Sequence, residues 1–361
     1  MKTILIFLLV VNGFILLPLM STGGGRKYMK EVQKAYNLCV TGKANEAKQI
    51  LDNLLARDST FAPAHYEMAR LKHHMMLGKA SNDFDKILAE SENAVHYDPE
   101  NVVFAYYNAL ASFFKTFINM QMEQGDVKAG IEKTCGKFEH VLSLKPDYYE
   151  AMMYLVEFYG LLPPEMGGDS TRAATYSQKL SEMSIYYGSK ARATLAPENF
   201  DAVQFWENLL KDDPVNAELL TEAGRAYLYR EDPENAEKYF EQAVQINPAK
   251  NILTLDLARF HIYKVMANRE LAGTELPIAK TYLKKFLNSK PMPIAPLRAY
   301  ATGLMALTER FEGNETAVIK LQNDAKAIDP YYSTASGIPT LLLFDPPDQI
   351  SHQYFSFFKP F

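Results

Sequence analysis

Basic runs are missing from this 361-residue sequence: no stretch of Lys and Arg exceeds two residues, and the formal charge is −5. With no basic patch to displace counterions from phosphates, a nucleic-acid partner is not expected. Cysteine is nearly absent. Cys39 and Cys135 are the only two, and the register described below puts them in different structural units, too far apart for a bond needing Cα atoms within about 7 Å. Both are expected to be small buried apolar residues. Catalytic and cofactor fingerprints are missing too. No His-Glu-x-x-His, Gly-x-Ser-x-Gly, phosphate loop or Gly-x-Gly-x-x-Gly occurs, so neither an enzyme nor a resident cofactor is expected. His73 and His74 are adjacent, hence on different sides of a helix, and His65 lies eight residues before His73. That spacing suits structural or surface histidines better than metal ligands.

What is present is an ordinary globular composition, 48% hydrophobic and 22% charged, which argues against wholesale disorder. The length is too great for one simple core and calls for several domains or a repeat array. Lys2 is followed by an apolar run from Ile4 to Met20, then by Ser21-Thr22-Gly23-Gly24-Gly25. Residues 1–22 are read as a secretory signal peptide, so an exported chain, periplasmic or secreted, is expected. The run, about seventeen residues, also meets the lower length limit of an uncleaved membrane anchor. Gly23 to Lys27 is read as a flexible junction.

Proline punctuates the rest. His96-Tyr97-Asp98-Pro99, Ser143-Leu144-Lys145-Pro146, Lys211-Asp212-Asp213-Pro214, Gln245-Ile246-Asn247-Pro248 and Ala327-Ile328-Asp329-Pro330 each close an amphipathic stretch, as a helix-stopping proline does. From Pro214 to Pro248 the step is 34 residues. Between them Leu220, Ala223, Gly224 and Tyr227 share one face of a first helix. Ala236, Tyr239, Phe240 and Ala243 share one face of a second, and Asp232-Pro233-Glu234-Asn235 turns the chain. Small residues let two helices approach and aromatics fill the space around them. With Gly224, Tyr227, Ala236, Phe240, Ala243 and Pro248 in place, this unit resembles the tetratricopeptide (TPR) repeat.

Looser copies predict an all-α, right-handed α-solenoid of about eight helix-turn-helix hairpins over residues 27–330. The helix from Val102 to Met122, dense in Tyr and Phe, is assigned to the core rather than to a ligand. Residues 331–361, apolar and proline-rich, are read as an extended tail docked on the solenoid.

Two local patterns bear on function. The string Leu162-Pro163-Pro164-Glu165-Met166-Gly167-Gly168-Asp169-Ser170 is read as an elaborated, capped turn, with Gly167, Gly168 and Asp169 as an alternative anion-binding turn. Over Leu161 to Leu180 it resembles a string in periplasmic TPR components of TRAP-type transporters. Secondly, Ala69-Arg70, Gly224-Arg225 and Ala258-Arg259 repeat one position, with His74, Tyr229 and Tyr263 four residues later on the same helical face. The family resemblance implies that these six residues look into the concave groove, where the arginine forks would accept an anionic group of a protein or peptide partner. The competing reading pairs the arginines with neighbouring acids such as Glu222 and Asp256. The expected function is an exported scaffold binding a peptide or protein in its groove. The alternative is a ligand-binding accessory in a membrane transport complex. The sequence does not disclose the oligomeric state.

Overall fold

The computed structural model describes residues 23–77 and 84–334, with side chains from Lys27 onward. The expected leader, the insertion around Gly78-Lys79-Ala80-Ser81 and the tail beyond Thr334 lie outside the described residues. Those described form sixteen α-helices and no strand. In chain order they are α1 (Gly23–Val40), α2 (Ala44–Arg57), α3 (Ala62–Leu77), α4 (Phe84–Tyr97), α5 (Val102–Gln121), α6 (Val127–Leu144), α7 (Tyr149–Leu161) and α8 (Ser170–Met183). The second half comprises α9 (Ile185–Thr194), α10 (Ala202–Asp212), α11 (Ala217–Tyr229), α12 (Pro233–Ile246), α13 (Leu253–Ala267), α14 (Ala272–Leu287), α15 (Ala295–Phe311) and α16 (Glu315–Ile328). The α-solenoid expected from the proline spacing is what the chain builds. One detail differs: the expected glycine junction is already the first turn of α1.

Local chemistry sets the hairpins. Asn216 caps α11 by accepting from the backbone N–H groups of Glu218 (3.0 Å) and Leu219 (3.1 Å). Asp232 accepts from Asn235 N–H (3.1 Å), and Pro233 occupies the first turn of α12, where its missing donor costs nothing. Between these helices Gly224 leaves room for an aromatic ring: a Cβ there would lie 2.4 Å from the Phe240 ring. Phe240 is fully buried against Ala236 and Ala243, a burial that stabilises by roughly 2–3 kcal/mol.

The same logic runs through the array. Helix α2 buries Ala44, Ala47, Leu51 and Leu54, and α10 buries Val203, Trp206 and Leu210, one stripe each at helical spacing. Helix α5 is core, as expected: Tyr106, Tyr107 and Phe113 are buried, and Tyr106 packs on Tyr148 at 4.6 Å between ring centroids. Cys39 and Cys135 are buried free thiols, and burial pushes the Cys135 thiol up to about 12. The pairing is irregular at α9, which packs on α8 and α7, while α10 leans on α11. Arg192 over the Phe205 ring, at 5.4 Å, bridges α9 to α10.

The array also closes on itself. Tyr331 and Ile294 pack against the core of the first helices, the cluster that includes Val32, Ala35, Cys39, Leu51, Met68 and Leu71. Tyr331 donates its hydroxyl to Asn45 Oδ1 at 2.7 Å, and His74 Nε2 sits 2.8 Å from the Asp329 carboxylate. At the α1–α2 turn Gly42 has φ +86°, and a Cβ on it would reach within 2.0 Å of the Ile328 carbonyl oxygen. Consecutive hairpins thus run from α1 to α16 and return, making a closed ring rather than an open superhelix.

Candidate functional site

The first helices of the hairpins carry a strip of alternating charge. On α11, Glu222 receives the Lys190 ammonium of α9 at 3.2 Å and the Tyr186 hydroxyl at 3.0 Å. Arg225 reaches back to Glu222 at 3.7 Å and across to Asp256 of α13 at 3.6 Å. Arg259 lies 3.6 Å from the other oxygen of Asp256 and donates to the Tyr263 hydroxyl at 3.1 Å. The strip therefore reads Lys190, Glu222, Arg225, Asp256, Arg259, Tyr263, in order along three hairpins.

Its electrostatics follow from burial. Burial pushes the Glu222 carboxyl up, but Lys190 and Arg225 together outweigh it and hold the group below the ordinary carboxylate value. Asp256, whose side chain is 1% exposed, is pushed above the ordinary value by burial, which its two arginines do not fully offset. Glu157 of α7, also buried, is pushed well above its ordinary value by burial, with Lys190 a lesser opposing influence. The guanidiniums stand at ion-pair distance from Asp256, at 3.6 Å each, so their charge partly compensates its burial.

Of the six groove residues expected from sequence, the fold brings together three: Arg225, Arg259 and Tyr263. The two arginines are paired with Glu222 and Asp256, the competing reading weighed above. Tyr229 is separate from them, 69% exposed at the end of α11. Arg70 and His74 are not on an open groove, and that expectation is corrected. Arg70 is 3% exposed, donates to Glu67 Oε2 at 3.0 Å, and lies between the Tyr36 and Tyr66 rings at 5.4 and 5.2 Å. His74, 1% exposed, faces Asp329. The return of the chain's far end seals His74, a long-range event that helical periodicity does not carry, whereas Arg70 is enclosed by its own neighbours Tyr36 and Tyr66.

The anion-binding turn is corrected as well. Gly167 adopts φ +98° after a 3₁₀ turn over Pro164–Met166, and a Cβ at Gly168 would collide with the Leu162 carbonyl at 1.8 Å. Both glycines are thus required by the backbone path. The N–H groups of the three residues in question are already donated: Gly167 to the Pro164 carbonyl, Gly168 to that of Pro163, and Asp169 to that of Tyr159. The Asp169 carboxylate accepts from Thr171 and Arg172 N–H, both at 3.0 Å, and so occupies the helix terminus itself.

Sequence reasoning missed Lys190 and Tyr186, because α9 lacks the repeat's landmarks, and it missed Glu157 of α7. A usable signal was the acid three residues before each arginine: Glu67 and Arg70, Glu222 and Arg225, Asp256 and Arg259.

The family model of the tetratricopeptide repeat matches residues 217–250. That segment is a tetratricopeptide repeat. It contains Glu222 and Arg225, the centre of the charged strip, and supplies the hairpin on which the other units are variations. No curated protein matches the chain in sequence. Among solved structures, the chain is similar to a tetratricopeptide repeat protein from Parabacteroides merdae, at 12% identity over 88% of this chain and 98% of that one, with a TM-score of 0.36. It is also similar to the human IFIT1 dimer with PPP-AAAA, at 16% identity over 89% and 77% of the two chains and a TM-score of 0.39. A third is YrrB, described as a TPR protein with an unusual peptide-binding site, at 19% identity over 55% and 92% with a TM-score of 0.31. Superpositions this loose say nothing about ligand or partner.

Proposed function

We propose that this chain is an exported tetratricopeptide scaffold that binds a peptide or protein partner, with no catalytic activity of its own. The observation that carries the reading is the strip from Lys190 to Tyr263. It places alternating charges on consecutive hairpins, with the Glu222, Arg225 and Arg259 side chains 11–14% exposed and Tyr263 offering a more open ring. Fixed charges at that spacing match an extended partner by position and sign, which supplies specificity more than raw affinity. The apolar run from Ile4 to Met20 behind Lys2 supports export.

A second reading, an accessory of a TRAP-type transporter holding a small ligand, is favoured by the meeting of the two ends of the array at His74–Asp329 and Asn45–Tyr331. The charged strip speaks against an apolar cargo.

The test is selection of binders from a random peptide display library on the purified protein, repeated on the double variant Arg225→Ala/Arg259→Ala. Peptides selected on the parent should lose about tenfold or more in affinity on the variant, whose helical circular dichroism should be retained. Undiminished binding would remove the strip from the function. Fractionation of the host cell with an antibody tests export directly.

A further inference from the structure

We propose that Asp329–Tyr331 is an autoinhibitory clasp: a segment of the chain's own C-terminal part seated on an interaction surface of α1–α3 that also accepts a short acidic–aromatic element presented in trans. The proposal rests on the reading that the first helices of the hairpins carry the binding face. In the family register, His74 stands at the same position of its helix as Tyr229 and Tyr263, four residues after the arginine. Those two tyrosines are 69% and 38% exposed, whereas His74 is 1% exposed. The cover over His74 comes from the far end of the sequence.

The cover is built as a ligand is bound. The Asp329 carboxylate meets His74 at 2.8 Å, and its other oxygen accepts from Tyr331 N–H at 2.9 Å, which fixes the turn around Pro330. The Tyr331 ring packs edge-on against the His74 imidazole at 6.2 Å, and its hydroxyl reaches Asn45 of α2 at 2.7 Å. Gly42 gives the room: with φ +86° and no Cβ, it lets the Ile328 carbonyl approach the α1–α2 turn. A carboxylate, a proline-fixed bend and an aromatic with a polar tip, each met by a specific group, are the parts of short-peptide recognition. Here they are supplied in cis, and they join the two ends of an array whose other interfaces are between sequence neighbours.

A segment held in cis competes at an effective concentration of order millimolar, so a free copy will bind weakly and only when the clasp is open. The probe is a blocked heptapeptide of residues 327–333, followed by saturation-transfer NMR against the full-length protein and the double variant Asp329→Ala/Tyr331→Ala. The expected result is saturation transfer with the variant and none with the parent, together with faster hydrogen exchange in α1–α3 of the variant while α11–α13 is unchanged. Asn45→Ala combined with Tyr331→Phe removes only the seam's tyrosine–asparagine hydrogen bond. It gives the same exchange readout at smaller amplitude should the double variant lose helicity. Exchange in α1–α3 that matches the parent, or peptide bound by neither protein, would overturn the clasp. Exchange involves no partner, so this outcome is independent of whether the charged strip binds anything.

Discussion

Helices α3 and α11 carry the same four-residue pattern, an acid, any residue, a small residue and an arginine: Glu67-Met68-Ala69-Arg70 in one, Glu222-Ala223-Gly224-Arg225 in the other. Their fates differ. In α3 the pair is sealed, with Glu67 1% and Arg70 3% exposed, and Arg70 is further enclosed by Tyr36 and Tyr66. In α11 the side chains keep 11–12% exposure and join a strip that crosses three hairpins. The small residue and the arginine do the same local work in both. What separates a structural ion pair from a surface strip is what the rest of the chain lays over it.

Substitution of the acid in each copy breaks this comparison most directly. Glu67→Ala leaves a buried guanidinium that cannot shed its charge, and should cost about 4 kcal/mol. Glu222→Ala leaves Arg225 with Asp256 still beside it and some water access, and should cost about 2 kcal/mol. Chemical denaturation of the two variants decides the matter; equal costs would mean that the enclosure of Arg70 by Tyr36 and Tyr66 adds nothing. A glycine pair sharpens the same contrast. Gly42→Ala meets the Ile328 carbonyl in addition to an unfavourable φ, whereas Gly313→Ala has φ +78° with nothing within 4 Å. Costs of about 3 and about 1 kcal/mol follow, read as separate shifts in the thermal midpoint.

The third test uses pH. Burial holds the Glu157 carboxyl well above its ordinary value, so the folded state keeps a proton that the unfolded chain releases above about pH 4.3. Stability at this site therefore falls as pH rises from the unfolded value toward the raised one. Glu157→Gln keeps the shape without the proton: the variant should exceed the parent in midpoint at pH 7 and match it near pH 4. A parent that gains from pH 4 to 7 relative to the variant would reverse the assignment. The smallest effect belongs to Tyr229→Ala, within about 0.5 kcal/mol in stability because the ring is exposed.

Much of the fold was legible. The prolines at 99, 146, 214, 248 and 330 close helices α4, α6, α10, α12 and α16, each within two residues of the helix end, because a missing N–H and a fixed φ act locally. Gly224 and Phe240 were legible for the same reason: their contact is inside one hairpin. The charged strip was half legible. Arg225 and Arg259 repeat at a fixed place, and their acids sit three residues before them, but Lys190 lies in a hairpin that lacks the landmarks. The turn at Gly167-Gly168 shows the limit from the other side. Two glycines before a helix look alike whether they serve a ligand or a sharp reversal, and only the hydrogen-bond partners of their N–H groups distinguish the two.

By itself the sequence determined the helices, their pairing into hairpins and the close contacts of small residues with aromatics, since periodicity and capping act over a few residues. The tertiary structure decided that the ends of the array meet, that His74 lies under their seam, and that Arg225 and Arg259 pair with acids of their own and neighbouring hairpins. The reason is physical: small offsets between successive hairpins accumulate over eight units, and whether the last meets the first depends on their sum. No single repeat encodes that sum.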